Sequence, residues 1–466
     1  MRRASVVTAA AFILGIAAVG WWGAARDAPP PIGIVLITLD TVRADKLSPY
    51  GYMNVSLPAL ERVAREGVIF WNASTVAPMT LPAHTSLFTG LWPPNHGVRD
   101  NADAPLDEHR TTMAEMLRAQ GFQTGAFVGS VVLGPERGLQ QGFMRYDSVG
   151  LADRQGPDAM QRRANQVVDS AIAWLDSVGT DRFLLWTHLY DPHRPYAPPE
   201  PFRSTYGHDL YVGEIAFADS QIGRLLAALE ERKLLDRVVL VVAGDHGESL
   251  GDHGERDHGI FVYQEVLRVP LMIRSAALKP LQVGEVVRLV DVLPTVLDLA
   301  GLPLPQMDGV SLVNLMHGKQ GDADLEAYSE SLYPERLGWS PLHALRQGQF
   351  KLIDAPRPEL YDLDRDPFER QNIYDERRSV AQAMTKRLTE IFSGGEAAGA
   401  ARMQTTVSPD VQARLAALGY VSAAVRRDPA GPSSRPDPKD CIGSRERMLK
   451  SEPVNKKCGP GVPPQR

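Results

Sequence analysis

Three apolar runs in this chain stop on an aspartate: VLITLD at Asp40, LLWTHLYD at Asp191 and VVLVVAGD at Asp245. Around them strand-like runs alternate with helical patterns. Ile32–Asp40 precedes a helix from Ser56, and Val68–Ala73 precedes one near Thr111. Thr124–Gly129, a helix around Asp158–Val178, Phe183–Asp191, a long helix Tyr211–Leu235, Val238–Asp245 and Val269–Arg274 follow. The alternation predicts an α/β fold, a mostly parallel sheet with helices on both faces. Ligands in such sheets gather at the carboxyl ends of the strands, so the three aspartates are expected at one edge.

After about Gly318 the pattern changes to short strands and turns at His343–Arg346, Phe350–Ile353 and Glu359–Leu363, which predicts a small antiparallel subdomain. The expected layout is a leader or anchor at 1–27, a core at 28–318, the subdomain at 319–396 and a largely flexible tail at 397–466. Within the long helix, Phe217, Ile222, Leu225, Leu226 and Leu229 recur at helical spacing and are expected in the core.

At the amino terminus, Arg2 and Arg3 precede an uncharged run over 4–22 that ends in Trp21 and Trp22. Positive charge before an apolar run keeps the terminus cytoplasmic, so the body is expected outside, on the periplasmic or extracellular face. Small residues at 23–25 suit signal peptidase, while the length of the run suits an uncleaved membrane anchor. The formal net charge of -6, with basic residues scattered, excludes the basic footprint of a duplex nucleic-acid binder. Cys441 and Cys458 could form one disulfide in an oxidising compartment.

Thr80 stands just before Pro82, a residue suited to the first turn of a helix. A threonine there is ordinarily an N-cap. It also lies where free N–H groups and the helix dipole stabilise an anionic oxygen.

Several motifs occur together and in order. They are LITLDTVRAD, TLPAHTSLFTGLWPPNHGV, YDPHRPY, GDHGESLGDHGERDHG and ELYDLDRDPFERQN, spanning about Ile32 to Asn372. The chain thereby resembles the sulfatase family of the alkaline phosphatase superfamily, which implies an alkaline phosphatase-like fold. Sulfatases of this type convert a Cys or Ser in C/S-x-P-x-R to formylglycine. Here the stretch reads Thr80-x-Pro82-x-His84, and threonine cannot become that aldehyde. Around Thr80 the chain is similar to the nucleotide pyrophosphatase/phosphodiesterase branch, which uses threonine directly. In that branch an asparagine shortly downstream holds a phosphoryl oxygen, and Asn101 matches it.

The resemblance implies a divalent metal bound by Asp40, Thr80, Asp245 and His246. The imidazole favours zinc or manganese over calcium. A second ion could be held by Asp191, His193 and His258; otherwise His193 and His258 grip the substrate oxyanion. His84 and His188 are expected against the substrate, with His253 a further contact. The expected activity is hydrolysis of phosphate esters, diesters foremost, or of sulfate esters, through a covalent intermediate on Thr80. Small molecules, glycans or lipids would be the substrates. The competing expectations are a phospho-headgroup transferase of the cell envelope and a binding protein that kept the fold.

Overall fold

The structure is a computed structural model that describes residues 31–148, 161–319, 325–399, 435–445 and Cys458. Residues 1–30, which include the expected leader or anchor, lie outside the described residues. Among the described residues no helix is long and apolar enough to cross a membrane.

The main sheet has eight strands: β1 Gly33–Leu39, β2 Val68–Ser74, β3 Gln123–Val128, β4 Arg145–Asp147, β5 Phe183–Leu189, β6 Val238–Gly244, β7 Arg268–Arg274 and β8 Leu281–Arg288. Their order is β4-β3-β5-β1-β6-β7-β2-β8. β1 is parallel to both β5 and β6, β3 to β4 and β5, and β2 to β8; β7 alone runs against its neighbours β6 and β2. The sheet is thus mostly parallel, as the alternation required.

Each face is covered. On one side lie helices Pro58–Glu66, Ala164–Val178 and Leu210–Glu231, whose Leu60, Val63, Val167, Ala171, Ile222 and Leu225 pack on Val35, Ile37, Leu185 and Leu240. The residues expected in the core of the long helix are all buried, Phe217, Ile222, Leu225, Leu226 and Leu229 among them. On the other side lie helices Thr80–Thr89, Met113–Ala119 and Val292–Leu299, with Leu87, Phe88, Leu117 and Leu293 against Ile34, Leu36, Trp186 and Val241. Burying one such aliphatic side chain contributes about 1.5–3 kcal/mol.

The subdomain is a four-stranded antiparallel sheet, β9 Ala327–Ser331, β10 Leu342–Gln347, β11 Phe350–Asp354 and β12 Glu359–Asp362, in the order β12-β11-β10-β9. Helix Arg378–Gly399 covers it through Ala381, Met384, Leu388 and Ile391. Sequence reading found β10 to β12 and missed β9, whose AYSES sequence has no apolar alternation. All of β9 is buried nevertheless, because its polar groups find partners. Ser329 Oγ donates to Thr75 O at 2.7 Å, and Glu330 receives Arg99 Nε at 2.6 Å.

Of the tail expected at 397–466, residues 435–445 and Cys458 are described, and they pack against the body. Cys441 and Cys458 are joined by a disulfide and both are buried. Trp339 Nε1 donates to Cys458 O at 3.0 Å and Ser340 N to Pro436 O at 2.9 Å. The segment lacks apolar periodicity because a covalent bridge and polar anchors hold it.

The Arg99–Glu330 pair fastens β9 to the core, with Glu330 fully buried and Arg99 nearly so. Removing one partner strands a buried charge, so Arg99→Ala should lower unfolding stability by about 3–5 kcal/mol. Arg99→Leu combined with Glu330→Leu should cost less than the single change. Denaturant unfolding checks both values, and a loss below about 1 kcal/mol for Arg99→Ala would show the anchor lies elsewhere.

Candidate active site

Strand register decides which aspartates meet. Leu39 lies beside Leu189 on β5 and Gly244 on β6, so Asp40 and Asp245 each stand one residue past the same row. Backbone bonds continue the register there: Asp40 N donates to Leu189 O at 3.0 Å and Asp245 N to Leu39 O at 3.1 Å. Asp191 stands two residues past Leu189, one step further on. With alternation of side chains along a strand, that step takes it out of the group. Its Oδ2 accepts Ala164 N at 2.6 Å, at the start of helix Ala164–Val178, and Arg163 lies 3.8 Å from its Oδ1.

Asp40, Asp245 and His246 offer ligand atoms that all lie within 4.8 Å of one another, and all three are buried. This is the one such grouping among the described residues. A second one built on Asp191, His193 and His258 is not assembled. His246 Nδ1 donates to Gly247 O at 2.9 Å, which leaves its Nε2 lone pair facing Asp40 Oδ1 at 3.8 Å and Asp245 Oδ2 at 3.7 Å. Those two carboxylate oxygens are buried with no hydrogen-bond partner. The other oxygens are held: Asp245 Oδ1 accepts His246 N at 2.6 Å and Thr41 N at 3.2 Å. Thr41 reaches it from the left-handed region, at φ 55°, an uncommon conformation for a β-branched residue.

Two carboxylate oxygens and an imidazole lone pair turned on one another repel. The His258 imidazole attracts both carboxylates, but burial outweighs that attraction. The donor set fits a divalent cation. Burial pushes Asp40 up to about 8 and raises Asp245 as well, with Asp40 adding to the second shift. Burial also keeps His246 neutral, as a metal ligand must be.

Thr80 opens helix Thr80–Thr89 as its first residue, behind Met79, so it is not the N-cap that its position before Pro82 suggested. Its Oγ1 instead lies 3.4 Å from His246 Nε2. Asn101 packs beside it, with Oδ1 accepting Leu81 N at 2.8 Å and its own carbonyl accepting Arg137 Nη2 at 2.7 Å. Asn101 Nδ2 is buried with no hydrogen-bond partner, an unused N–H donor.

His84 and His188, the expected substrate contacts, bond to Thr80, Thr38 and Asp40. Each is fully buried with both ring nitrogens engaged. His84 Nδ1 meets Thr80 O at 2.7 Å and its Nε2 meets Thr38 Oγ1 at 3.0 Å. His188 Nδ1 meets the same Thr38 Oγ1 at 3.0 Å and its Nε2 meets Asp40 Oδ2 at 3.2 Å. Trp186 Nε1 also donates to Thr38 Oγ1, at 3.0 Å. These bonds tie the Thr80 turn to Asp40 through Thr38. Thr38 and Trp186 were missed, although each lies two residues before a chosen residue on its strand and so shares its face.

His258 closes the other side, its ring 4.5 Å from that of His246 and 5.1 Å from that of His193. Glu248, also missed, accepts His258 Nδ1 at 3.0 Å and Tyr196 Oη at 2.9 Å. Burial opposes charge on His258, but Glu248 overrides it and lifts the imidazole to about 9. His193 lies flat on Tyr190, and its Nδ1 donates to Arg194 O at 2.7 Å. Burial holds it neutral, down to about 3. His253 is no substrate contact: its nitrogens meet Glu265 Oε1 at 2.7 Å and Glu369 O at 3.2 Å.

With this geometry in view, the family model described as Sulfatase matches residues 33–302, and that of the N-sulphoglucosamine sulphohydrolase C-terminal region matches 251–393. Among curated proteins the chain is 26% identical to mouse (Mus musculus) arylsulfatase K over 443 residues, covering 77% of this chain and 79% of that one. It is 26% identical to the ulvan-active sulfatase of Formosa agariphila over 400 residues, covering 75% and 78%. Among solved structures, the phosphonate monoester hydrolase of Agrobacterium radiobacter shares the fold at TM-score 0.66 and 21% identity, covering 79% of this chain and 96% of that one.

The raised Asp40 carboxyl sets a pH dependence. Its folded value of about 8 exceeds the ordinary 3.8, so it favours the folded, metal-free protein at low pH and loses that contribution as pH rises through 8. A bound cation removes the penalty. The melting temperature gap between metal-loaded and chelator-treated protein should therefore widen as pH rises from about 6 to about 9. A gap that stays flat or narrows would contradict the cation site.

Proposed function

The chain belongs to the sulfatase family, as an ester hydrolase, and on that premise we propose that it cleaves phosphate esters, diesters foremost, with Thr80 as its nucleophile and one divalent cation. The observation that carries the reading is Thr80 Oγ1 lying 3.4 Å from His246 Nε2, beside two partnerless carboxylate oxygens. When bound, the cation would be held by Asp40, Asp245, His246 and Thr80, and would supply the Lewis acidity that makes the hydroxyl a competent nucleophile near neutral pH.

The chain's own groups do the rest. His84 fixes the turn that carries Thr80 through the Thr80 carbonyl. Thr80 Oγ1 gives up its proton to solvent and attacks phosphorus; the bond to the leaving oxygen breaks, and the leaving alcohol takes up a proton from solvent as it departs. Asn101 Nδ2 donates to an equatorial oxygen of the transferred group. His193 and protonated His258 face the same group, so that negative charge developing there meets an imidazolium. Water then cleaves the ester on Thr80 and restores the hydroxyl.

Preference for phosphorus over sulfur follows from the side chains. Threonine carries a β-methyl and cannot be oxidised to the aldehyde used by formylglycine sulfatases. His84, at the place of the signature arginine, is fully buried and occupied with backbone and Thr38. Small molecules, glycans and lipids remain the substrate classes. The buried Cys441–Cys458 disulfide supports export to an oxidising compartment, in keeping with Arg2, Arg3 and the apolar run at 4–22.

Matched aryl phosphodiester, phosphate and sulfate substrates test the reading, compared by kcat/KM on protein made without a formylglycine-generating enzyme. The diester should be cleaved best. Thr80→Ala should lower kcat by about a thousandfold or more, and Thr80→Ser should keep a measurable fraction. A sulfate preference by a wide margin would sink the assignment.

A further inference from the structure

The loop between β6 and β7 carries His258 over the site, and it is clamped from two directions. At its near end, Arg43 Nη1 donates to Glu248 O and Ser249 O, each at 3.3 Å, and pairs with Asp252 at 2.8 Å. At its far end the organising group is Glu255, which is buried and accepts Ile260 N at 3.0 Å and Phe261 N at 2.9 Å. These bonds close the turn that bears His258.

The cation at that far end comes from the other end of the chain. Arg445 Nη1 lies 3.7 Å from Glu255 Oε1 and 3.4 Å from Asp257 Oδ2, and its Nη2 donates to His258 O at 3.5 Å. The side chain is nine-tenths buried, with its guanidinium over the ring of Tyr333. It is held there by the segment 435–445. Arg357 N donates to Asp437 Oδ2 at 3.1 Å, Lys439 Nζ pairs with Glu359 at 2.5 Å, and Ile442 lies beside Gly254. The Cys441–Cys458 bridge closes the segment, four residues before Arg445.

We propose that Arg445, delivered by this disulfide-closed C-terminal clip, is a positioning residue that fixes His258 against the metal-binding group. The inference rests on the reading of His258 as a residue that meets the transferred group. Without Arg445, Asp257 keeps its pair with Arg194, but buried Glu255 loses the guanidinium beside it, and an uncompensated buried charge forces rearrangement. The imidazole follows its backbone. A displacement of about 1 Å at a reacting group costs on the order of a hundredfold in rate.

The test is a double-mutant cycle with the aryl phosphodiester. Arg445→Ala and the pair Cys441→Ser/Cys458→Ser should each lower kcat by about 10- to 100-fold while far-ultraviolet circular dichroism is retained. Arg445→Lys should recover part of the loss. In a His258→Ala background, Arg445→Ala should cost less than about twofold, because both changes remove the same contribution. Reduction of the bridge in the folded wild-type enzyme gives the same comparison without a substitution. Unchanged kcat in Arg445→Ala, or a loss that multiplies fully with that of His258→Ala, would overturn the positioning role. Wild-type activity in His258→Ala would overturn it too, by removing the residue it serves. In that case Thr80→Ala still reports separately on the nucleophile.

Discussion

Asp40 and Asp245 end adjacent parallel strands with one oxygen each buried and without a hydrogen-bond partner. Burying one carboxylate without a partner is costly, and burying two side by side is worse. A chain tolerates that only where the charge is needed, and here the surrounding structure is arranged to keep it. The register of β1 with β6 brings the two carboxylates together. Thr41 adopts a left-handed backbone to hold one of them, and the carbonyl of Gly247 fixes the tautomer of His246. The position of Thr80 follows, because its helix is anchored behind by His84 and beside by Asn101.

The layer behind the ligands is as organised as the ligands themselves. Thr38 Oγ1 is the meeting point of Trp186, His84 and His188, and through them it joins the Thr80 turn to Asp40. Burial holds both histidines neutral, so the link between the Thr80 turn and Asp40 is made by hydrogen bonds rather than by a buried charge pair. On the open side the polarity reverses, with His258 kept positive by Glu248. The result is a site with buried carboxylates within and a cationic imidazole facing them.

Much of this was legible in the sequence, for physical reasons that also explain the failures. A run of buried apolar residues ending in Asp marks a strand terminus wherever it occurs, so Asp40 and Asp245 could be placed. Asp191 looked the same, but sequence does not show that β5 pairs with its Leu189, not its Tyr190, beside Leu39. One residue of register took it to a helix terminus. For His84 and His188 the sequence does not show on which side of Thr80 and Asp40 each ring lies, since that depends on packing. β9 and Arg445 left no local signal at all, because their burial depends on partners far away in the chain.

The central claim is that Thr80 carries the transferred group during turnover, and the most direct measurement is the mass of the peptide containing Thr80. Enzyme mixed with a slow aryl phosphodiester and quenched within a turnover should yield that peptide with one added phosphoryl ester, on Thr80, and the adduct should vanish on completion. The account would be contradicted by an unmodified peptide throughout steady turnover together with an active Thr80→Ala variant.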